Sequence, residues 1–162
     1  MRLTGSCQCG GVSFRVETRH PVPYQRCYCS ICRKIQGGGG YAVNLSADFG
    51  TLKVRGADKI TTYHARLHEP GQRTKRSPAE RTFCSICGTG LWLYDKRWPD
   101  LVHPYASVID TELPEPPEHT LLMLDFKPGW VEVEKHPRDK MFGEYPEESI
   151  ADWHARTGME AD

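Results

Sequence analysis

Apolar and polar residues alternate along several short stretches of the chain, a pattern typical of half-buried β-strands. In residues 11–17 the alternation places Val12, Phe14 and Val16 on one face. Shorter stretches of similar character predict further strands at 41–45, 52–54, 60–64, 91–94, 120–126 and 130–134. The 12 prolines and 15 glycines interrupt the chain between such stretches. The sequence therefore predicts a mainly β fold.

One helix is predicted near the end of the chain, over residues 147–157. Ile150 and Trp153 share a face there, and Gly158 stands at the position of a C-cap. A single helical turn is predicted over 30–35.

The length of 162 residues favours one domain. We found no repeat and no linker along the chain. We therefore expect a β domain over 1–135 and a C-terminal extension, 136–162, whose helix packs on the same domain.

The balance of charge limits the partners that the protein is expected to bind. Lys plus Arg and Asp plus Glu both number 21, so the net charge is zero with histidine neutral. Nucleic-acid-binding domains are usually basic, so we expect no nucleic-acid partner. Residues 1–109 nevertheless hold 16 Lys and Arg but 7 Asp and Glu, which either favours small anionic ligands or reflects a solvated face. Residues 66–81, with five Arg or Lys, are predicted to form a solvated insertion or a cationic lid.

The first residues contain no apolar core of a signal peptide, and no run approaches the ~18 apolar residues of a membrane span. We therefore expect a cytoplasmic protein with no membrane partner. Thiols stay reduced in the cytosol, so metal binding is favoured over disulfides for the cysteines.

The seven cysteines occur in three motifs: "CQCGG" at Cys7 and Cys9, "CYCSIC" at Cys27, Cys29 and Cys32, and "FCSICGTG" at Cys84 and Cys87. Structural zinc sites use four protein ligands, whereas catalytic sites use three and keep one position open. Seven thiols therefore divide into four plus three. Glycine follows the second thiol of the first and last motifs, where a positive φ lets backbone amides point at the sulfurs. These two motifs are predicted to form the closed site.

A different division pairs the C-x-x-C of the middle motif with the C-x-x-C of the last motif in a ribbon-type site. Their separation is far longer than the ~15–20 residues of a simple zinc ribbon. It would also leave the C-x-C of the first motif without a site in a reducing cell. The four-plus-three division is therefore favoured.

Arg33 and Lys34 follow the middle motif directly. Cations beside thiolates favour the ionised form and can hold an anionic substrate. A zinc ion with three thiolates carries a net charge of −1, which weakens its action on water but suits it to bind one more thiol as thiolate. The chemistry predicts attack of a thiol on a small electrophile, or the reverse cleavage of a carbon–sulfur bond.

Four segments resemble the glutathione-dependent formaldehyde-activating enzyme family, which also includes centromere protein V. They are "GSCQCGGVSF", "CYCSICRKIQG", "GADKITTY" and "RTFCSICGTGL", with a weaker similarity at "PEHTLLMLDFKPGW". The order C-x-C, C-x-C-x-x-C, C-x-x-C-G is specific, and the resemblance extends over residues 4–130.

The resemblance implies an antiparallel, zinc-stabilised β fold with two zinc ions in the domain 1–135. It implies a structural zinc on Cys7, Cys9, Cys84 and Cys87 and a catalytic zinc on Cys27, Cys29 and Cys32. The implied activity is that of a carbon–sulfur lyase, in which glutathione adds to formaldehyde to give S-hydroxymethylglutathione. The partners would be glutathione or a similar small thiol and a small aldehyde, with Arg33 and Lys34 as candidate glutathione contacts.

Tyr28 stands where the family often has histidine. We expect Tyr28 to pack in the core, with proton donation to a developing alkoxide as the alternative. The glycines at 37–40 form either a plain turn or a close approach to a peptide-like ligand. The alternative to an enzyme is a non-catalytic zinc module that binds a protein partner through the acidic C-terminal part and the helix 147–157.

Overall fold

A computed structural model describes residues 1–36, 38–68 and 71–159. Its strands are β1 (Arg2–Ser6), β2 (Ser13–Glu17), β3 (Tyr24–Cys27), β4 (Ala42–Asn44), β5 (Ala47–Asp48), β6 (Lys53–Arg55), β7 (Ile60–Tyr63), β8 (Arg66–Leu67), β9 (Lys75–Arg76), β10 (Glu80–Cys84), β11 (Gly90–Tyr94), β12 (Leu101–Pro104), β13 (His119–Leu122) and β14 (Lys140–Met141). Its α-helices are α1 (Ser30–Gln36) and α2 (Ile150–Arg156). Short 3-10 turns lie at Phe49–Thr51, Ala57–Lys59, Ala106–Val108 and Leu124–Phe126. The predicted mainly β fold with a short C-terminal helix is confirmed.

The strands form three sheets and a small hairpin. The sheets have the orders β1-β2-β6, β5-β12-β11-β10-β7 and β14-β13-β3-β4, and β8 pairs with β9. Among the described residues, β13 runs parallel to β3 and β14, and the other strand pairs are antiparallel.

The three-stranded sheet buries the apolar side chains that the alternation predicts. Phe14 and Val16 of β2 are buried together with Leu3 of β1. The Phe14 ring meets Trp92 of the five-stranded sheet edge to face, with the ring centroids 5.2 Å apart. Gly5 of β1 lies opposite Phe14, where a Cβ atom would come within 2.5 Å of the ring, so this close approach requires glycine. The end of β1, where the first cysteines follow, is thereby held against the core.

The other two sheets place the remaining cysteines at strand ends. In the five-stranded sheet, β10 ends at Cys84 and turns back into β11, with the Cys84 amide bonded to the Thr89 carbonyl at 2.9 Å. In the four-stranded sheet, β3 ends at Cys27, which lies between Leu122 of β13 and Ala42 of β4. The helix α1 begins three residues after Cys27 and carries the last thiol of the middle motif.

The C-terminal helix is capped as its sequence favours. The Ser149 hydroxyl accepts a hydrogen bond from the Asp152 amide at 3.1 Å, and the Asp152 carboxylate accepts one from the Ser149 amide at 3.3 Å. Trp153 is buried, and its Nε1 donates to Glu118 at 2.8 Å. Gly158 has a φ of 71°, as expected just beyond a helix end. Neither helix in the described part of the chain is long and apolar enough to cross a membrane.

The division into a domain over 1–135 and an extension over 136–162 stays a prediction. Two features of the fold bear on it: β14 joins the four-stranded sheet, and α2 contacts the segment before β13 through Glu118.

Two strand predictions differ from the structure. Residues 130–134 form no strand: Val131 is buried, but its amide closes a turn onto the Pro128 carbonyl at 3.1 Å. The strand predicted over 120–126 ends at Leu122, because Met123 adopts a left-handed φ of 62° and starts a 3-10 turn. Val131 is buried and Val133 half-buried, while Phe126 and Trp130 are exposed, and in the described part of the chain no neighbouring strand pairs with residues 123–126 or 130–134.

The cationic segment 66–81 contains an exposed hairpin. The strands β8 and β9 pair at the surface, while Glu69 and Pro70 lie outside the described residues. Arg81, at the end of this segment, belongs to β10 and is only 7% exposed. The segment is therefore a surface hairpin that leads into a buried cation.

Two cysteine clusters as candidate metal centres

The four cysteines of the first and last motifs come together in one cluster. The sulfurs of Cys7, Cys9, Cys84 and Cys87 all lie within 4.8 Å of one another. The Cys7 and Cys9 sulfurs are 3.5 Å apart, and the Cys9 and Cys84 sulfurs are 3.8 Å apart. A tetrahedral zinc site with Zn–S bonds of about 2.3 Å places its sulfurs about 3.8 Å apart. The cluster therefore fits a four-coordinate metal ion.

Backbone turns aim donors at these sulfurs. Gly10 and Gly88 have φ of 71° and 73°, and their amides close turns onto the Cys7 and Cys84 carbonyls at 3.0 and 2.9 Å. The Val12 amide lies 3.2 Å from the Cys7 sulfur. These are the glycine turns that the sequence predicts around a closed site.

Further donors near these turns stabilise thiolates in this cluster. Hydrogen bonds from the Thr89 hydroxyl and amide lower the pKa of Cys87 to about 5. The Gly11 amide lowers the pKa of Cys9, but hydrogen bonds with neighbouring thiols raise it more, to about 11. Negative charge is thus shared unevenly among sulfurs, two of which, Cys9 and Cys87, lie at the surface.

The middle motif forms a second cluster. The sulfurs of Cys27, Cys29 and Cys32 lie within 4.8 Å of one another. Cys27 ends β3, Cys29 lies in the turn, and Cys32 lies in the first turn of α1, where its amide is 3.4 Å from the Cys29 sulfur. All seven thiols are free, and they fall into the groups of four and three that the sequence predicts. The ribbon-type division is wrong.

Two of the three thiols in this cluster are buried. Cys27 and Cys32 are buried, while Cys29 is half-buried. Hydrogen bonds from the Cys27 and Cys32 thiols lower the pKa of Cys29 to about 2, and the hydrogen bonds that Cys27 donates, together with burial, raise the pKa of Cys27. The first negative charge of the cluster is therefore stabilised on its most accessible sulfur.

Two buried polar side chains from the five-stranded sheet and its edge act on this cluster. The Cys27 thiol lowers the pKa of Cys32, and the charge of Arg81 does so too, but the hydrogen bond to Cys29 and burial raise it overall to about 11. Burial, followed by the charge on Cys32, raises the pKa of Tyr105. Neither Arg81 nor Tyr105 is a residue that the sequence analysis selected.

A third side chain, from the C-terminal part of the chain, lies within electrostatic range of the cluster. The residue as a whole is 66% exposed, but partial desolvation of its hydroxyl, and then the charges of Cys27 and Cys29, raise the pKa of Tyr145. The backbone explains its position, because the Met123 amide donates to the Glu144 carbonyl at 2.9 Å and Met123 follows the strand residue opposite Cys27. No local sequence signal points to Tyr145, since its place depends on this long-range pairing.

The predicted substrate contacts lie on α1. Arg33 is half-buried and its Nε has no hydrogen-bond partner among the described residues, whereas Lys34 is exposed. Tyr28 is completely buried in a separate apolar group with Leu121 and Val131, as the packing interpretation expects. Of the glycines at 37–40, Gly37 lies outside the described residues, and the other three form a turn.

One cavity lies away from both clusters, since no cysteine is among the described residues that line it. It has a volume of about 690 Å³ and lies between the start of β1 and α2, where its walls include Met1, His20, Ile150 and His154. The chemistry of the thiols, not the size of a cavity, identifies the candidate site.

Comparison with known proteins agrees with this cysteine pattern. The family model described as "Glutathione-dependent formaldehyde-activating enzyme" matches residues 2–123. The chain belongs to this family. A protein of Halomonas elongata named "Putative glutathione-dependent formaldehyde-activating enzyme" is 56% identical over 160 residues, covering 99% of both chains. The crystal structure of a Rhodobacter sphaeroides protein is 27% identical and superimposes with a TM-score of 0.53 over 68% of this chain and 91% of that chain.

Membership of the formaldehyde-activating family confirms the resemblance inferred from the cysteine motifs. The region matched by the family model contains all seven cysteines, Arg33, Lys34 and Arg81. Tyr145 and α2 lie beyond it.

Proposed function

We propose that the protein is a two-zinc enzyme that forms or cleaves a carbon–sulfur bond between a small thiol, glutathione or a similar molecule, and a small aldehyde. Family membership supports a formaldehyde-activating reaction. The observation that carries the proposal is the separation of seven thiols into a group of four and a group of three. Four thiolates complete a structural site, whereas three leave one position for a substrate.

The two groups would have different roles. The structural zinc would be held by Cys7, Cys9, Cys84 and Cys87, and the catalytic zinc by Cys27, Cys29 and Cys32. Zinc held by three thiolates would take up a substrate thiol as a nucleophilic thiolate. The half-buried Cys29 marks the side on which a substrate would approach, because the other two thiols are buried.

The residues of α1 would hold the thiol substrate. Glutathione carries two carboxylates, which guanidinium and ammonium groups bind through charge-assisted hydrogen bonds. We assign this role to Arg33 and Lys34; the unpartnered Nε of Arg33 supports it for Arg33. In the reaction, the thiol sulfur bonds to the aldehyde carbon, the carbonyl electron pair moves to oxygen, and the thiol proton ends on that oxygen. The reverse reaction breaks the carbon–sulfur bond and regenerates both molecules.

A cytoplasmic location would keep the seven thiols reduced and able to bind metal. The partners in this proposal are small molecules, with no nucleic acid and no membrane.

The activity can be tested by mixing the protein with glutathione and formaldehyde and following S-hydroxymethylglutathione by NMR exchange. We expect exchange faster than the uncatalysed reaction for the wild type, and the uncatalysed rate for Cys29→Ser. A wild-type protein that binds two metal ions but does not accelerate exchange would contradict the proposal and favour the non-catalytic zinc module.

A further inference from the structure

The buried side chain of Arg81 lacks the partners that a buried charge requires. Arg81 lies in β10 and is 7% exposed, and its Nε and Nη1 atoms are buried without a hydrogen-bond partner among the described residues. A guanidinium remains charged at any pH at which the protein is folded. Burying such a charge is costly unless an opposite charge lies close to it. The structure therefore calls for an anion beside Arg81.

The neighbouring carboxylate is already engaged. Asp95 is buried and accepts four hydrogen bonds from Arg97. Two come from Nε at 3.0 and 3.1 Å, one from Nη2 at 2.6 Å and one from the backbone amide at 3.0 Å. Asp95 and Arg97 thus neutralise each other. The charge of Arg81 also lowers the pKa of Asp95, but Arg81 forms no ion pair among the described residues.

The three-thiol cluster can supply the missing negative charge. The helix α1, which carries Cys32, packs on the five-stranded sheet to which Arg81 belongs, because a Cβ atom on Gly90 of β11 would clash with the side-chain amide nitrogen of Gln36. Cys32 also shares one core cluster with Leu91 of β11, and the charge of Arg81 lowers the pKa of Cys32. A divalent metal ion held by Cys27, Cys29 and Cys32 as thiolates has a net charge of −1. The charge of this complex and the charge of Arg81 together sum to zero.

The four-thiol cluster does not need such a partner. Its complex would carry a charge of −2, but Cys9 and Cys87 are exposed to water, and backbone amides and the Thr89 hydroxyl point at its sulfurs. The three-thiol cluster has two fully buried sulfurs and fewer such contacts. The three-thiol cluster therefore needs a cationic side chain close to it, and the four-thiol cluster does not.

We propose that Arg81 is the buried counter-charge of the three-thiol metal centre. It acts as a positioning residue: it stabilises the anionic complex, and more so when a substrate thiolate brings the charge to −2. The inference rests on the metal assignment of the proposed function but not on the identity of the substrate.

The test compares how firmly the two clusters of one chain hold their metal. Protein carrying two cobalt ions is titrated with a chelator, and the loss of thiolate-to-cobalt absorption is followed for the wild type, Arg81→Met and Arg81→Lys. Removing the charge should lower the chelator concentration that empties the three-thiol cluster roughly tenfold or more. The lysine variant should stay within about threefold of the wild type, because it keeps the charge. The four-thiol cluster should be unchanged in both.

The exposed Arg76 of β9 provides the control, and Arg76→Met should leave both clusters unchanged. If Arg81→Met does not fold, Arg81→Gln, which keeps polar atoms but not the charge, replaces it. Equal weakening of both clusters would show a purely structural role, and no weakening would show no role; either result overturns the proposal. The proposal would also be overturned if Arg81→Met retained its metal normally but bound glutathione more weakly, because Arg81 would then be a substrate contact. Metal retention is measured without glutathione, so a failure of thiol binding appears separately.

Discussion

At the scale of single residues, Cys29 differs from the other thiols of its cluster. It is half-buried, whereas Cys27 and Cys32 are part of the hydrophobic core. Replacing Cys29 therefore changes the metal centre with little effect on packing. Tyr28 packs in a separate apolar group, whereas the charge of Arg81 lowers the pKa of Cys32.

We predict that Cys29→Ser remains folded, loses about one of two metal ions, and loses activity, because two thiolates do not complete a zinc site. Elemental analysis gives the metal content, and thermal unfolding followed by circular dichroism gives the stability. Ser30→Ala, the adjacent residue, is the control and should keep both ions. Full metal content in Cys29→Ser would contradict the assignment of this cluster.

We predict that Tyr28→Phe leaves activity within about twofold of the wild type and leaves the free energy of unfolding unchanged or raised by up to ~1 kcal/mol. The Tyr28 hydroxyl is buried without a partner among the described residues, so removing it costs no hydrogen bond. Urea denaturation and the exchange assay measure the two effects. If Tyr28→Phe is stable but loses most of its activity, the result would favour proton donation by Tyr28 over a packing role.

At the scale of elements, the four-thiol cluster joins two turns that are far apart in sequence. The turn after β1 carries Cys7 and Cys9, and the turn between β10 and β11 carries Cys84 and Cys87. Metal binding at such a site contributes on the order of 10 kcal/mol to folding, comparable to the whole stability of about 5–15 kcal/mol of a typical domain. The cluster is therefore expected to hold the two sheets together.

Accordingly, Cys84→Ser should fail to fold, or should unfold at least 20 °C below the wild type, since the stabilisation lost is several kcal/mol. Circular dichroism and thermal unfolding test this. The neighbouring Ser85→Ala serves as the matched variant and should behave as the wild type. A stable, folded Cys84→Ser with one metal ion would show that this cluster is not structural.

The docking of α2 has its own pH dependence. Glu118 accepts hydrogen bonds from Trp153 at 2.8 Å and from Arg156 at 2.6 Å. Burial raises the pKa of Glu118, but these two partners lower it below its ordinary value of 4.5. The ionised carboxylate therefore stabilises the fold above pH 4.5, and this contribution is lost as the pH falls through the lowered pKa.

We predict that Glu118→Gln costs about 1.5–3 kcal/mol at neutral pH, as for hydrogen bonds to a charged group. The difference in the free energy of unfolding between Glu118→Gln and the wild type should become smaller below pH 4.5. Thermal unfolding across this pH range measures the difference. Glu148→Gln, which removes the more exposed partner of Arg156, should cost less. A difference that is constant with pH would rule out ionisation of Glu118 as the cause.

Local patterns predicted some elements and not others. Spacing and capping residues indicated α2, and alternation indicated β2, because both signals lie within one segment. By contrast, β3 has only four residues, and its position depends on parallel pairing with β13, about 95 residues away. The strand predicted at 130–134 is wrong for the opposite reason. Its residues alternate between apolar and polar, but no strand among the described residues pairs with them.

At the scale of the whole molecule, the grouping of the cysteines could be predicted because thiol chemistry allows few combinations and glycines mark the closed site. Arg33 and Lys34 could be proposed as substrate contacts because they are adjacent to a cysteine motif in sequence. Arg81 was missed because it stands in a cationic segment, and only the folded sheet shows that it is buried and that its charge lowers the pKa of Cys32. Sequence motifs thus locate the thiols that could hold a metal ion, while the charges near them come from tertiary structure.

The central claim is that one cluster is closed and the other accepts a substrate thiol. Glutathione titrated into the two-cobalt protein tests it most directly, through the thiolate-to-cobalt absorption. We predict an increase that saturates at one glutathione per chain and is absent in Cys29→Ser. A protein that binds a single metal ion, or a two-cobalt protein whose absorption does not respond to glutathione, would contradict the claim.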